Sequence, residues 1–158
     1  MSFKAIVRVF SVALLMVGAL SANVASAKDG LTLRIGGVAN VYFIDSTHAV
    51  ASAEGTFAAL STVVTSFVPQ PDGTILAGLT HNFITADNGF IITDDVMTLV
   101  PVPGSPNVFS FTVDYIVTKS GNGLEGFEGE HFNSRGFIDM NKGFAAVRYD
   151  GEISRKKK

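Results

Sequence analysis

The sequence predicts an all-β fold, a small antiparallel barrel of about eight strands in a meander behind a cleavable leader. Three observations point there. The stretch Thr74–Lys119 reads as three long strands joined by two turns. Asp87-Asn88-Gly89 marks the first turn, because Asn-Gly tolerates the positive φ of tight hairpins. Val102–Asn107 marks the second, where Pro103 and Pro106 remove ladder donors. The third strand then alternates: Phe109, Phe111, Val113, Tyr115 and Val117 on one face, Ser110, Thr112, Asp114 and Thr118 on the other, the period of a half-buried strand. Finally, the chain has 0 cysteines. Small exported domains often rely on disulfides, and closing a barrel removes sheet edges without them.

The leader accounts for residues 1–27. Lys4 and Arg8 form a basic start, Val9–Leu20 is an uncharged apolar run, and Ala25-Ser26-Ala27 is a small-residue cleavage pattern. The apolar run falls short of the roughly 20 residues a spanning helix needs. Cleavage after Ala27 predicts a secreted or periplasmic protein that begins at Lys28, with no lipidation cysteine and no membrane span. The rest of the 158-residue chain suits one domain, 28–154, with a basic tail at 155–158. Losing Lys4 and Arg8 takes the formal charge from −2 to −4, and setting aside the four tail cations takes the body to −8. An acidic body argues against nucleic acid and anionic membrane surfaces. The tail itself reads as a frayed, solvated terminus.

Within the domain, Leu31–Ile35 and Asn40–Ile44 read as short strands separated by a bend at Gly36-Gly37. Asp45–His48 is turn-like, and Ala49–Glu54 has no clear period and reads as irregular. Gly55–Val68 is β-branched enough for a strand, and Pro69–Gly73 is a strong turn. The three long strands follow. Ser120–Glu130 is a glycine-rich connection, and His131–Asp139 with Phe144–Ser154 forms a last hairpin around Met140–Gly143. No helix longer than two turns is visible after the leader.

The register across the Asn-Gly turn decides which residues share the interior. Across the Asn-Gly turn, either plausible register puts Ile75, Ala77, Leu79, His81 and Phe83 on one face with Phe90, Ile92, Asp94 and Val96. Matching that face to Phe109–Val117 gathers the aromatic and β-branched residues inside. His81, Asp94 and Tyr115 are then three polar intruders in an apolar interior. A carboxylate beside an imidazole fixes its tautomer and favours its charged form, so His81 and Asp94 are the candidates for acid–base chemistry, with Tyr115 positioning a ligand. The bland alternative is a self-satisfied polar cluster. The outward row Leu76, Ile84, Ile91, Met97, Leu99 and Ile116 is too apolar for a lone monomer and predicts a subunit interface.

Other motifs carry less. Gly121–Gly126 spells G-x-G-x-x-G, but no helix follows to present an N-terminus to phosphate. His48, His81 and His131 come singly, without metal-site spacing, so neither a metal nor a cofactor is expected.

His81-Asn82-Phe83, Gly89–Asp94 and Tyr115-Ile116-Val117 resemble the middle of the allene oxide cyclase/dirigent barrel family. Ser120–Gly129 is similar to that family's glycine-rich loop, and Gly136, Asp139, Gly143 and Tyr149-Asp150-Gly151 resemble its closing hairpin. The likeness covers about Gly73–Ile153. Asn122 and Phe127-Glu128 depart from the usual loop. The resemblance implies an eight-stranded barrel with an inner cavity, frequent trimerisation, and either cyclisation of a fatty-acid epoxide or steering of phenoxy-radical coupling.

Three functions compete on these grounds. The first is an exported barrel holding a small apolar or amphipathic molecule against Phe83, Phe90, Phe109 and Phe111. The second is an isomerase or cyclase using His81, Asp94 and Tyr115. The third is a structural or surface-interaction module with a filled barrel. An open cavity with His81 at its wall would favour either of the first two.

Overall fold

The computed structural model describes residues 30–155. The predicted leader at 1–27, its cleavage point and tail residues 156–158 lie outside them. Eight antiparallel strands run as a meander: β1 (Thr32–Phe43), β2 (His48–Gly55), β3 (Ala59–Pro69), β4 (Ile75–Ile84), β5 (Phe90–Pro101), β6 (Val108–Gly121), β7 (His131–Asp139) and β8 (Phe144–Ser154). β8 pairs back onto β1, from Thr32 opposite Ser154 to Tyr42 opposite Phe144, and closes the barrel. The expected fold class is therefore the observed one.

The first two strands differ from the sequence reading. β1 is one continuous strand through Gly36-Gly37 rather than two short ones. The glycines serve close approach: a Cβ on Gly37 would overlap the Tyr149 hydroxyl and the Glu54 carbonyl. β2 occupies the segment read as irregular. Its inward residues are Ala49, Ala51 and Ala53 and its outward ones His48, Val50 and Ser52, so its alternation is real but carried by side chains too small to show it.

The interior face of β5 is the opposite of the expected one. Ile91, Thr93, Asp95 and Leu99 are buried, while Asp94 and Val96 are exposed and Phe90 and Ile92 lie half-buried on the outer wall. The cause is the β4–β5 loop. Its turn is not the two-residue Asn-Gly type. Thr85 N–H donates to the Gly89 carbonyl at 2.9 Å, and Asn88 N–H donates to the Thr85 carbonyl at 3.1 Å. Asn88 alone takes the left-handed conformation, at φ 67°. That is a three-residue loop, a tight turn followed by one left-handed residue. It pairs Ile84 with Phe90, and so sets odd residues opposite odd ones: Phe83 with Ile91, His81 with Thr93, Leu79 with Asp95. One added loop residue exchanges the faces of the whole strand.

Two corrections follow. Asp94 and Phe90 are not interior residues, and Ile91, Met97 and Leu99 are not part of an outward apolar row. Leu99 and Ile91 are fully buried, and Met97 packs against the core. Leu76 and Ile116 do face outward. β6 keeps its expected face, with Phe111, Val113, Tyr115 and Val117 inside and Phe109 half-buried against the core.

Candidate functional site

The barrel has two unlike halves. At the end bearing the β2–β3, β4–β5 and β6–β7 loops, the interior is filled by Phe57, Phe83, Phe127, Phe132 and Tyr149, each under 2% exposed. Their rings interlock, with Phe57 4.7 Å from Phe83 and Phe83 5.3 Å from Phe132, centroid to centroid. Phe127 comes from the glycine-rich connection. Arg155 lies over its ring at 5.7 Å and donates to the Gly123 carbonyl at 3.3 Å. The start of the basic tail is thus docked, not frayed as expected. Glu128 ties the same connection down by accepting from the Ser120 N–H at 3.0 Å and its hydroxyl at 2.6 Å. The loop is a stopper, and its Glu125 and Glu128 carboxylates accept from its own backbone N–H groups at Gly123 and Ser120, unlike a phosphate cradle.

The other half is hollow. A cavity of about 670 Å³ runs from His81 toward the β1–β2 and β7–β8 loops. Its wall is apolar, and much of it comes from small residues: Ala49, Ala77 and Ala145 point inward where a leucine would fill the space. Leu79, Met97, Phe111 and Val113 line it further. A bulge at Thr65, between Val64 opposite Leu79 and Ser66 opposite Gly78, brings Phe67 opposite inward-facing Ala77 at the mouth. Bulges re-aim side chains in this way. Phe67 and Met140 are exposed apolar residues at that opening, beside Asp45, Ser46 and Thr47.

At the boundary between the halves lies a polar cluster. His81 Nδ1 and Asp95 Oδ2 are 2.6 Å apart, and Thr93 Oγ1 donates to the same carboxylate oxygen at 3.0 Å. His81 stacks above Phe83 at 5.5 Å and meets the edge of Tyr115 at 5.1 Å. Tyr115 and Ser134 hydroxyls are bonded at 2.8 Å. Burial pushes the Asp95 carboxyl above its ordinary value, with the bond and charge of His81 opposing that push. Burial also pushes the Tyr115 phenol up, so it stays protonated. Asp95 Oδ1 has no hydrogen-bond partner among the described residues. Asp95 holds Nδ1, which leaves Nε2 as the nitrogen that a molecule in the cavity can meet. Thr62 stands directly opposite His81 across β3 and β4, on the same inner face and in the same cavity.

The expected residues therefore divide. His81 and Tyr115 come together at the cavity floor, but the carboxylate beside them is Asp95. Asp94 accepts a hydrogen bond from Thr80 at 2.9 Å on the outer wall. Phe111 lines the cavity and Phe83 lies beneath its floor; Phe109 borders the core, and Phe90 covers Gly121, where a Cβ would come within 2.6 Å of its ring. The other histidines lie elsewhere: His48 pairs with Asp45 at 3.0 Å by the mouth, and His131 with Asp114 at 3.4 Å on the outer wall. Sequence reasoning missed Asp95, Thr93, Ser134 and Thr62. Once the loop length is known, strand parity alone selects the first two. No protein-family model, curated protein or solved structure matches this chain.

Proposed function

We propose that the protein is an exported carrier or receptor barrel that holds a small apolar or amphipathic molecule in its open half. The observation that carries this reading is the cavity of about 670 Å³ with an apolar wall and one polar cluster at its floor. Ligand pockets generally have that size and that sparse polarity. A barrel serving only as a structural module would fill this half as it fills the other. The outer wall carries Arg34, Asp94, Asp114, Arg135, Arg148 and Glu152, all exposed, the reverse of the apolar-out pattern of lipid-spanning barrels. The leader motif supports export. The eight-stranded meander suits the resemblance to allene oxide cyclase/dirigent barrels at the level of architecture, and architecture alone carries no reaction.

A second reading, an isomerase or cyclase, is favoured by one observation. The bond between His81 and Asp95 orients an imidazole within an apolar cavity, the arrangement of a general base. Asp95 takes the role first given to Asp94.

Native mass spectrometry of the protein purified from its own host tests the carrier reading. A discrete adduct of small-molecule mass, released on denaturation, is expected. Bare protein that also refuses apolar probes at saturating concentration would contradict it.

A further inference from the structure

The polar floor restricts what the cavity can accept. His81 Nε2 is the free nitrogen of a ring whose Nδ1 is bound to Asp95, and the Thr62 hydroxyl lies opposite it with no protein partner among the described residues. Directly opposed residues on one sheet face have Cβ atoms about 4.5–5.5 Å apart. One small ligand group can therefore meet both. The titratable side chains facing the imidazole are Asp95, from β5, and Tyr115, from β6.

We propose that the floor selects an uncharged hydroxyl head group, carried into the cavity ahead of an apolar body. This rests on the reading of the cavity as a ligand site. A hydroxyl can donate to Nε2 when the imidazole is neutral and accept from it when the imidazole is charged, and Thr62 can supply the complementary half. A carboxylate has nothing to donate. It also adds a second negative charge near Asp95, a buried carboxylate whose Oδ1 already lacks a partner among the described residues. An ammonium cannot accept from Thr62, and it would surrender its hydration for two neutral acceptors, Nε2 and the Thr62 oxygen, with no direct ion pair, since the Asp95 side chain is 0% exposed. A hydrocarbon leaves both Nε2 and the Thr62 hydroxyl dry and unpaired.

The test is displacement of N-phenyl-1-naphthylamine, an uncharged fluorescent probe, by 1-decanol, decanoate, decylammonium and undecane at pH 7.5. Decanol should compete about tenfold better than undecane, as one or two well-made hydrogen bonds imply, and better than both ions. The advantage over undecane should shrink in Thr62→Val and vanish in the double variant His81→Leu/Asp95→Leu, which removes the pair without stranding a buried charge. Equal competition by all four would overturn the head-group proposal while leaving the cavity as a ligand site. Preference for decanoate or decylammonium would overturn it as well. Failure of the probe itself to bind the wild type would overturn both.

Discussion

Asp94 and Asp95 are neighbours in sequence and opposites in environment. Asp94 is exposed and accepts a hydrogen bond from Thr80, so Asp94→Asn should change stability by no more than about 0.5 kcal/mol and leave ligand binding intact. Asp95 is different. Its folded carboxyl holds a proton more tightly than the unfolded chain does, so its ionisation weakens the fold as pH rises from the ordinary carboxyl value through the folded one. His81 opposes this by bonding the carboxylate. His81→Ala should therefore lose stability progressively as pH is raised from about 4, and cost about 3–5 kcal/mol near neutrality, the usual penalty for stranding a buried charge. Adding Asp95→Asn should remove the pH-dependent part. Urea unfolding of the wild type and both variants across pH checks this, and parallel pH profiles would contradict it. The chemistry of an imidazole beside a carboxylate was legible in the residues. Which carboxylate was not, because that depends on the length of one loop.

That loop shows what decides legibility at the level of elements. Asp87-Asn88-Gly89 announces a hairpin, but a two-residue and a three-residue turn both accept these residues, and they differ by one in parity. Only the Thr85–Gly89 closure, with Asn88 left-handed, distinguishes them. Asn88→Ala should cost about 1–2 kcal/mol through its left-handed backbone, and Asn88→Gly should be neutral or slightly stabilising; shifts in the urea midpoint report both. β7 and β8 were readable to the residue, since turn residues bracket strongly β-forming runs. β2 was hidden because its inner face is alanine. The exchange of faces on β5 gives a sharper contrast. Phe83→Ala, in the interlocked aromatic end, should cost about 3–5 kcal/mol. Phe90→Ala, on the outer wall over Gly121, should cost under about 1 kcal/mol. Equal costs would return β5 to its first-expected register.

In the whole molecule, the same closed sheet is packed solid at one end and hollow at the other. The difference lies in side-chain size. Phenylalanine and tyrosine meet across the closed end, whereas Ala49, Ala77 and Ala145 face the open one. Alternation predicts which residues face inward, but only the assembled registers show that Ala49, Ala77 and Ala145 line the same cavity. The barrel was thus legible in the residue pattern, whereas an inner cavity was implied only by the resemblance and its position was not legible. The central claim is that this hollow half takes up a molecule. Fluorescence titration with N-phenyl-1-naphthylamine, comparing the wild type with Ala77→Phe, tests it most directly, because the new ring would occupy the cavity without touching the polar floor. The account predicts saturable one-to-one binding by the wild type and at least a tenfold loss, on the order of 1.4 kcal/mol, in a variant with native near-ultraviolet circular dichroism. No saturable binding by the wild type, or undiminished binding by the folded variant, would contradict it.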